Sequence, residues 1–452
     1  MQQALISKEG KMALFGTDGV RGVAGVDLTA ELAFNLSTAA ASVLADLGEF
    51  AGHRPTAIVG QDSRASGQYL EEAICRGLSS AGIDVYRVGI LPTPAISFLV
   101  KDRGADLGVM ISASHNPASD NGIKFFDRTG SKLADQIEAK IESVLGQAVE
   151  SSNGAGSVIE DLGAKESYTQ NLLKSLDGNL SGLKVVVDCA NGAASFVAPE
   201  LLKRAGAEVI AISASPNGLN INDNCGSTHL ENLIEAVKGE GADIGIAHDG
   251  DADRVLAVDD KGSVIDGDFI LGILAQDMEL PTKTVVGTVM TNLGLIKALE
   301  EKGIGFIATA VGDRYVLEEM LAGGHLLGGE QSGHIIMSKY ANTGDGLLTA
   351  LQLISNLKKS GKSASELASF MKRYPQVLIN VSGVAKEKLA SNQVIAKAVG
   401  DAKQRLEDKG RVLLRASGTE ALIRVMIEAQ DLSLAQELAS ELATLVKSEL
   451  SL

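Results

Sequence analysis

Three aspartates stand at alternate positions in His248-Asp249-Gly250-Asp251-Ala252-Asp253-Arg254. Carboxylates this close do not all stay ionised in a cleft without a cation among them. Oxygen-only ligands suit a hard divalent ion such as Mg²⁺ or Ca²⁺. The spacing is not that of an EF-hand, because its sixth position is Arg254 rather than Gly and its twelfth is Asp260 rather than Glu. A solvated acidic turn is the plain alternative. The apolar stretches on both sides argue instead for a loop with a buried base.

Other candidates lie elsewhere. The run Val109-Met110-Ile111-Ser112-Ala113-Ser114-His115-Asn116-Pro117 reads as a buried strand that a proline forces to end. Ser114 then sits at a strand mouth, where open α/β sheets place their ligands. Phe15-Gly16-Thr17-Asp18-Gly19-Val20-Arg21-Gly22 is a Gly-punctuated loop that can bring N–H groups and the Arg21 guanidinium to an oxyanion. Lys124 suits an acid/base or a phosphate ligand. Glu330, Ser332 and His334 can bind hydroxyls, or belong to an ordinary Gly-rich turn. Arg415, Ser417, Thr419 and Arg424 offer donors suited to a phosphate, or form a Ser-Gly turn with surface arginines. Ser360-Gly361-Lys362-Ser363 only imitates a P-loop, since the required first Gly is Asn356.

The elements that must carry these residues repeat. Strand 56–60, helix 67–80, Gly82 and strand 83–89 form one unit. Strand 184–188, helix 193–205, Gly206 and strand 208–212 form a second. Strand 284–287, helix 292–301, Gly303 and strand 305–310 form a third. In the first two units Ser114 and Asp251 each lie ten residues past the Gly of a Gly-Ala-Asp run, Gly104 and Gly241. A looser third copy begins at Gly323 and runs into Gly329-Glu330-Gln331-Ser332-Gly333-His334. The tail differs: helix 387–408, strands 412–415 and 422–427, and helix 433–449 predict a small α+β domain. The whole is an α/β protein of three related βαβ-type domains with mixed, mostly parallel sheets, plus that C-terminal domain. The boundaries predicted are 1–157, 158–256, 257–374 and 375–452, with one candidate loop in each.

At roughly 100–200 residues per domain, a chain of 452 residues fits this division. Hydrophobic residues make up 45% and charged residues 22%, so the chain is not disordered. A net charge of −16 argues against a nucleic-acid or anionic-membrane partner. An anionic substrate would need locally gathered positive charge. Cys75, Cys189 and Cys225 form no C-x-x-C pair and suggest neither zinc nor a disulfide framework. Residues 1–16 show no signal-peptide pattern, and no run of about 20 apolar residues exists. A cytoplasmic location is expected, with translation starting at Met1 or Met12.

Five segments, taken in order, resemble the α-D-phosphohexomutase superfamily: Thr17–Gly22, Ser112–Pro117, Asp249–Arg254, Gly329–His334 and Arg415–Glu420. Phe15-Gly16-Thr17-Asp18-Gly19, Asn121-Gly122-Ile123-Lys124-Phe125-Phe126 and Gln331 resemble its bacterial phosphoglucosamine mutase branch. Ala421 departs from the proline usual in the family. The resemblance implies an active site in a central cleft and a cytoplasmic isomerase, with amino-sugar phosphates feeding cell-wall precursor synthesis. Ser114 would be the phosphorylated serine, holding Mg²⁺ with Asp249, Asp251 and Asp253. Arg21 and Lys124 would serve as acid/base and charge-stabilising groups, with His115 close by. Arg254 would steady the transferring phosphate. Arg415, Ser417, Gly418, Thr419 and Arg424 would grip the other phosphate, and Glu330, Ser332 and His334 would read the sugar. Glucosamine 1,6-bisphosphate would be the intermediate and activator, and the protein a homodimer.

Three rivals remain open on sequence. The same chemistry on glucose or mannose phosphates differs only in substrate. A metal-dependent phosphatase using the Asp loop would release net phosphate; its haloacid-dehalogenase form, with an Asp nucleophile, lacks the usual apolar approach into Asp-x-Asp-x-Thr. A sugar-phosphate-binding regulator would be expected to have lost Ser114 or one of the aspartates, and none is lost.

Overall fold

The computed structural model describes residues 14–16, 18–147, 154–417 and 422–452. They form two compact units. One contains 14–290 and 304–369, the other 291–303 and 370–452.

The first unit holds three sheets. The first has seven strands in the order β1-β2-β6-β5-β3-β4-β7. These are β1 (Phe15–Gly16), β2 (Gly19–Val23), β3 (Thr56–Gln61), β4 (Asp84–Ile90), β5 (Leu107–Ile111), β6 (Asp120–Asp127) and β7 (Val158–Glu160). The second, ordered β12-β11-β10-β8-β9, contains β8 (Lys184–Asp188), β9 (Glu208–Ile212), β10 (Ile244–His248), β11 (Val255–Asp259) and β12 (Val264–Ile265). The third, ordered β14-β13-β15-β16, contains β13 (Thr284–Thr288), β14 (Gly305–Thr309), β15 (Leu327–Gly329) and β16 (Ile335–Met337).

Inside all three sheets lies the same four-strand core. A strand pairs in parallel with the strand that follows its helix, and on its other side with a third strand, which turns back into an antiparallel fourth. The sets β3-β4-β5-β6, β8-β9-β10-β11 and β13-β14-β15-β16 obey this rule alike. The repeated strand–helix–Gly–strand pattern in the sequence is therefore a repeated fold. The hairpin turn after the third strand carries Ser114 in the first copy, Asp249–Asp253 in the second and Glu330–His334 in the third. Central strands such as β5 and β10 are buried throughout. That is why they read as apolar runs rather than alternating patterns.

Some predicted elements differ in detail. The helix expected at 193–205 is a 3₁₀ turn, Ala193–Phe196, followed by a short α-helix, Ala198–Arg204. Pro199 lacks an N–H and can start a helix but not continue one. Helix 387–408 is likewise a 3₁₀ turn and then Gln393–Leu406, because the Asn392 side chain caps a new start by accepting from the Ile395 N–H. Val158–Glu160 pairs with β4 in the first sheet, and Val264–Ile265 with β11 in the second.

The second unit is a three-stranded antiparallel sheet in the order β17-β19-β18, made of β17 (Gln376–Ser382), β18 (Gly410–Ala416) and β19 (Leu422–Ala429). The helices Gln393–Leu406 and Leu432–Leu450 bury Ile395, Leu406, Leu438, Leu442 and Val446 with Ile423, Val425 and Ile427 of β19. The helix Leu293–Glu301 belongs to this unit. Its cap, Asn292, donates from Nδ2 to Tyr374 O (3.0 Å) and to Glu428 Oε1 (3.1 Å).

Candidate active site

Ser114 lies in the β5–β6 turn and is 1% exposed. Its φ is +52°, a left-handed conformation that costs a non-glycine residue energy and persists only where surrounding contacts impose it. Those contacts are present. The Ser114 N–H donates to Ser112 Oγ (2.9 Å), and that hydroxyl donates to Asp62 Oδ2 (2.6 Å). Ser114 O accepts from Arg64 Nη2 (3.0 Å) and from Asn222 Nδ2 (2.9 Å). A Cβ on Gly250 would stand 2.6 Å from Ser114 O, so only glycine lets the second sheet's loop approach so closely. Thus held, Ser114 Oγ donates to Asp249 Oδ2 at 2.5 Å.

The aspartate loop is the β10–β11 turn, with Ala252 also left-handed at φ +54°. Asp249, Asp251 and Asp253 are buried and offer one oxygen each, all within 4.8 Å of one another. Asp251 Oδ2 accepts from Thr93 Oγ1 (2.5 Å) and Lys124 Nζ (2.9 Å). Asp251 Oδ1 and Asp253 Oδ1 are buried with no hydrogen-bond partner. Burial, then Asp253 and Asp251, push the Asp249 carboxyl well above its usual range. Burial would raise Asp251 too, but Lys124 and Thr93 together outweigh it and hold that carboxyl down. Orphaned oxygens in a crowded acidic loop fit a divalent cation with oxygen ligands.

Cations face this loop. Asp18 accepts from Lys124 Nζ (3.0 Å), and also pairs with Lys132 and Arg21. Lys132 reaches Asp313 Oδ2 at 2.6 Å. Burial opposes the Asp18 charge, but Lys124, Lys132 and Arg21 hold the carboxyl well below its usual value. Burial also opposes the Lys124 charge, yet Asp18, Asp251 and Asp253 raise its pKa, so it stays an ammonium. Arg254 Nη1 lies 3.3 Å from His115 Nδ1, and its buried Nε has no hydrogen-bond partner. Burial, Arg254 and Arg21 push His115 down to about 4, so its ring is neutral near pH 7, with Nδ1 3.5 Å from Ser114 Oγ.

A cleft of about 630 Å³ opens beside these groups, lined by Arg21, His115, Lys132, Arg254, Glu330 and His334 among others. Glu330 Oε1 accepts from the Gly312 N–H (3.1 Å). His334 Nε2 accepts from the Gly344 N–H (3.1 Å), and its Nδ1 lies 3.7 Å from Asp253 Oδ2. Ser332 is exposed and is not among the lining residues.

In the second unit Arg415 and Arg424 sit opposite each other across β18 and β19. Burial and the neighbouring Arg424 charge lower the Arg415 pKa. The Ser417 N–H donates to Leu422 O (2.9 Å) and closes the hairpin, while Lys386 Nζ donates to Ser417 O (2.8 Å). Gly418, Thr419 and Ala421 lie outside the described residues, as do Met1 and Met12.

Several residues around the serine and aspartate loops were not singled out from sequence: Asp62, Arg64, Thr93, Lys132, Asn222 and Asp313; nor was Lys386 in the second unit. The one available signal was Asp62-Ser63-Arg64, a charged pair placed directly after an apolar strand.

This arrangement has counterparts. The chain matches the phosphoglucomutase/phosphomannomutase family in four parts: α/β/α domain I over 12–151, domain II over 166–262, domain III over 266–374 and the C-terminal domain over 378–445. It belongs to that family. Within it, a phosphoglucosamine mutase of Streptomyces griseus is 56% identical over 448 residues, covering 97% of this chain and 99% of the relative. One from Thermobifida fusca is 56% identical over 445 residues, covering 97% and 99%. A crystal structure of a family protein from Burkholderia thailandensis superposes with a TM-score of 0.81 at 26% identity, covering 96% and 97% of the two chains.

Proposed function

We propose that this chain interconverts glucosamine 6-phosphate and glucosamine 1-phosphate, with Ser114 as the phosphoryl carrier and glucosamine 1,6-bisphosphate as the intermediate. One observation supports this above the others: the Ser114 hydroxyl is fixed 2.5 Å from Asp249, inside a buried triple-aspartate loop and beside a cation-lined cleft. Full-length similarity to phosphoglucosamine mutases supports the amino-sugar substrate.

In this reading the phosphoserine P–O bond breaks as a sugar hydroxyl oxygen bonds to phosphorus, and the hydroxyl proton passes, in net balance, to the departing serine oxygen. Asp249, Asp251 and Asp253 with an oxygen on Ser114 would hold Mg²⁺, whose charge offsets that of the transferring group. Lys124 and Arg21 are fixed positive charges beside it, Arg254 would steady the phosphate, and neutral His115 is within reach of the serine oxygen. Glu330 and His334 read the sugar, with Ser332 at the edge. Arg415, Ser417, Gly418, Thr419 and Arg424 bind the phosphate that is not in transfer. The bisphosphate must turn over midway, so each position must accept either end. Positioning and electrostatics carry the catalysis.

Three further features belong to the same proposal. A cytoplasmic site of action is supported by three free cysteines. No helix among the described residues is long and apolar enough to cross a membrane. The homodimer rests on the family resemblance and is read by light scattering.

The test compares glucosamine 6-phosphate and glucose 6-phosphate as substrates, with Mg²⁺ and a trace of the matching bisphosphate, recording 1-phosphate and free phosphate together. A large preference for the amino sugar is expected. Equal or reversed preference would replace the substrate, and free phosphate as the main product would overturn the mutase reading.

A further inference from the structure

We propose that Arg64 is the positioning residue of the phosphoserine loop, a buried guanidinium that gathers the loop's carbonyls and so keeps Ser114 aimed at the aspartates. The inference rests on the reading of Ser114 as phosphoryl carrier.

The Arg64 side chain is fully buried and pairs with an equally buried Asp62 (2.9 Å). A buried charge is tolerated only where its hydrogen bonds are met. Guanidinium carries five N–H groups, and here all five have acceptors. Nε serves Asp62 Oδ2. Nη1 serves Pro117 O and Asp120 O, and Nη2 serves Ser114 O (3.0 Å) and Asn116 O (2.8 Å). Four of the five acceptors are backbone oxygens, three in the turn that carries Ser114 and one at Asp120, where β6 begins. Asp62 closes the ring, because its Oδ2 also accepts from Ser112 Oγ, which accepts the Ser114 N–H. Both ends of the strained residue are therefore tied to one ion pair.

A second clamp comes from the other repeat. Asn222 Nδ2 donates to Ser114 O (2.9 Å) and Asn116 O (3.0 Å), two of the carbonyls Arg64 holds. Neither Arg64 nor Asn222 lines the cleft. Both act through the serine. Lysine cannot replace this arginine, since its three donors radiate from one nitrogen and do not form the planar fork.

The experiment uses the full-length enzyme and the variants Arg64→Lys and Asn222→Gly; glycine keeps the left-handed φ of +58° at position 222. Circular dichroism and thermal melting establish folding. Steady-state kcat and KM for glucosamine 6-phosphate are measured, together with the rate at which labelled bisphosphate phosphorylates Ser114. Misplacing the oxygen is expected to cut kcat and the phosphorylation rate together by about 100-fold in Arg64→Lys. KM should stay within about threefold, as befits loss of alignment rather than binding. Asn222→Gly should show the same split with a smaller drop. A folded Arg64→Lys with parental kcat, or a loss lying wholly in KM, overturns the proposal. If Arg64→Lys does not fold, parental kcat and phosphorylation rate in Asn222→Gly overturn it instead. A parent enzyme that the bisphosphate never labels at Ser114 contradicts the phosphoserine reading itself, a result distinct from failure of the clamp.

Discussion

In the proposed mechanism the serine–aspartate region and the C-terminal hairpin both meet phosphate, yet they are built differently. Around Ser114 most polar contacts are buried, Ser114, Asn222 and Ala252 take left-handed backbone conformations, and the cations are matched by carboxylates. In the hairpin two half-buried arginines face each other across paired strands, and burial, then the Arg424 charge, disfavours the charge on Arg415. A group that must pass a phosphoryl over a short distance gains from rigid alignment. A group that must hold either end of a turning bisphosphate gains instead from gathered donors, to which an arriving phosphate adds charge-assisted hydrogen bonds. The contrast predicts losses in kcat on one side and in KM on the other.

The largest effect should come from Ser114→Ala. It removes the carrier oxygen and should lower kcat by about 10⁴-fold or more, with the melting curve close to parental. Next comes the aspartate loop. Asp251→Asn, or a chelator added to the parent enzyme, should reduce kcat by about 10²–10³-fold through lost charge stabilisation. Restoring Mg²⁺ should rescue the chelated parent. Arg415→Ala should act on the other side of the comparison, raising KM about tenfold with little change in kcat, as expected for one charge-assisted contact of about 1.4 kcal/mol. A kcat loss with unchanged KM in that variant would erase the distinction between the regions.

The smallest effect concerns rigidity itself. Asp345 caps the helix Gly346–Ser360 by accepting from the Leu348 N–H (2.9 Å), and the adjacent Gly346 N–H donates to Ala252 O (3.0 Å), the left-handed residue of the aspartate loop. Burial pushes the Asp345 carboxyl up to about 6. The folded protein therefore keeps this proton across a window where the unfolded chain has lost it. That contribution to stability is present at low pH and fades as pH rises through about 4 to 6, by about 3 kcal/mol. Asp345→Asn retains a cap oxygen and should flatten that part of the stability–pH curve. An unchanged slope, measured by denaturant unfolding across this range, would show that the buttress does not titrate there.

Much of this molecule was legible in its sequence, for particular reasons. Ser114 and the three aspartates stand out because their chemistry is written in adjacent residues. The repeated core stands out because buried central strands read as apolar runs ended by glycine. What escaped depends on distance along the chain. Arg64 meets Ser114 across 50 residues, Asn222 across 108, and Thr93 meets Asp251 across 158. No local pattern marks such a partner. The strand β2, Gly-Val-Arg-Gly-Val, escaped because its two glycines and arginine read as a loop. Its pairing with β6, not its composition, makes it a strand.

The central claim is that phosphate travels on Ser114. The direct measurement is to incubate the parent enzyme with Mg²⁺ and labelled hexose 1,6-bisphosphate, map the label by peptide mass, and then chase with unlabelled glucosamine 6-phosphate. The account predicts label on the Ser114 peptide that leaves during the chase and reappears on the sugar. Label on an aspartate of the 249–253 loop, or release of the label as free phosphate, would contradict it.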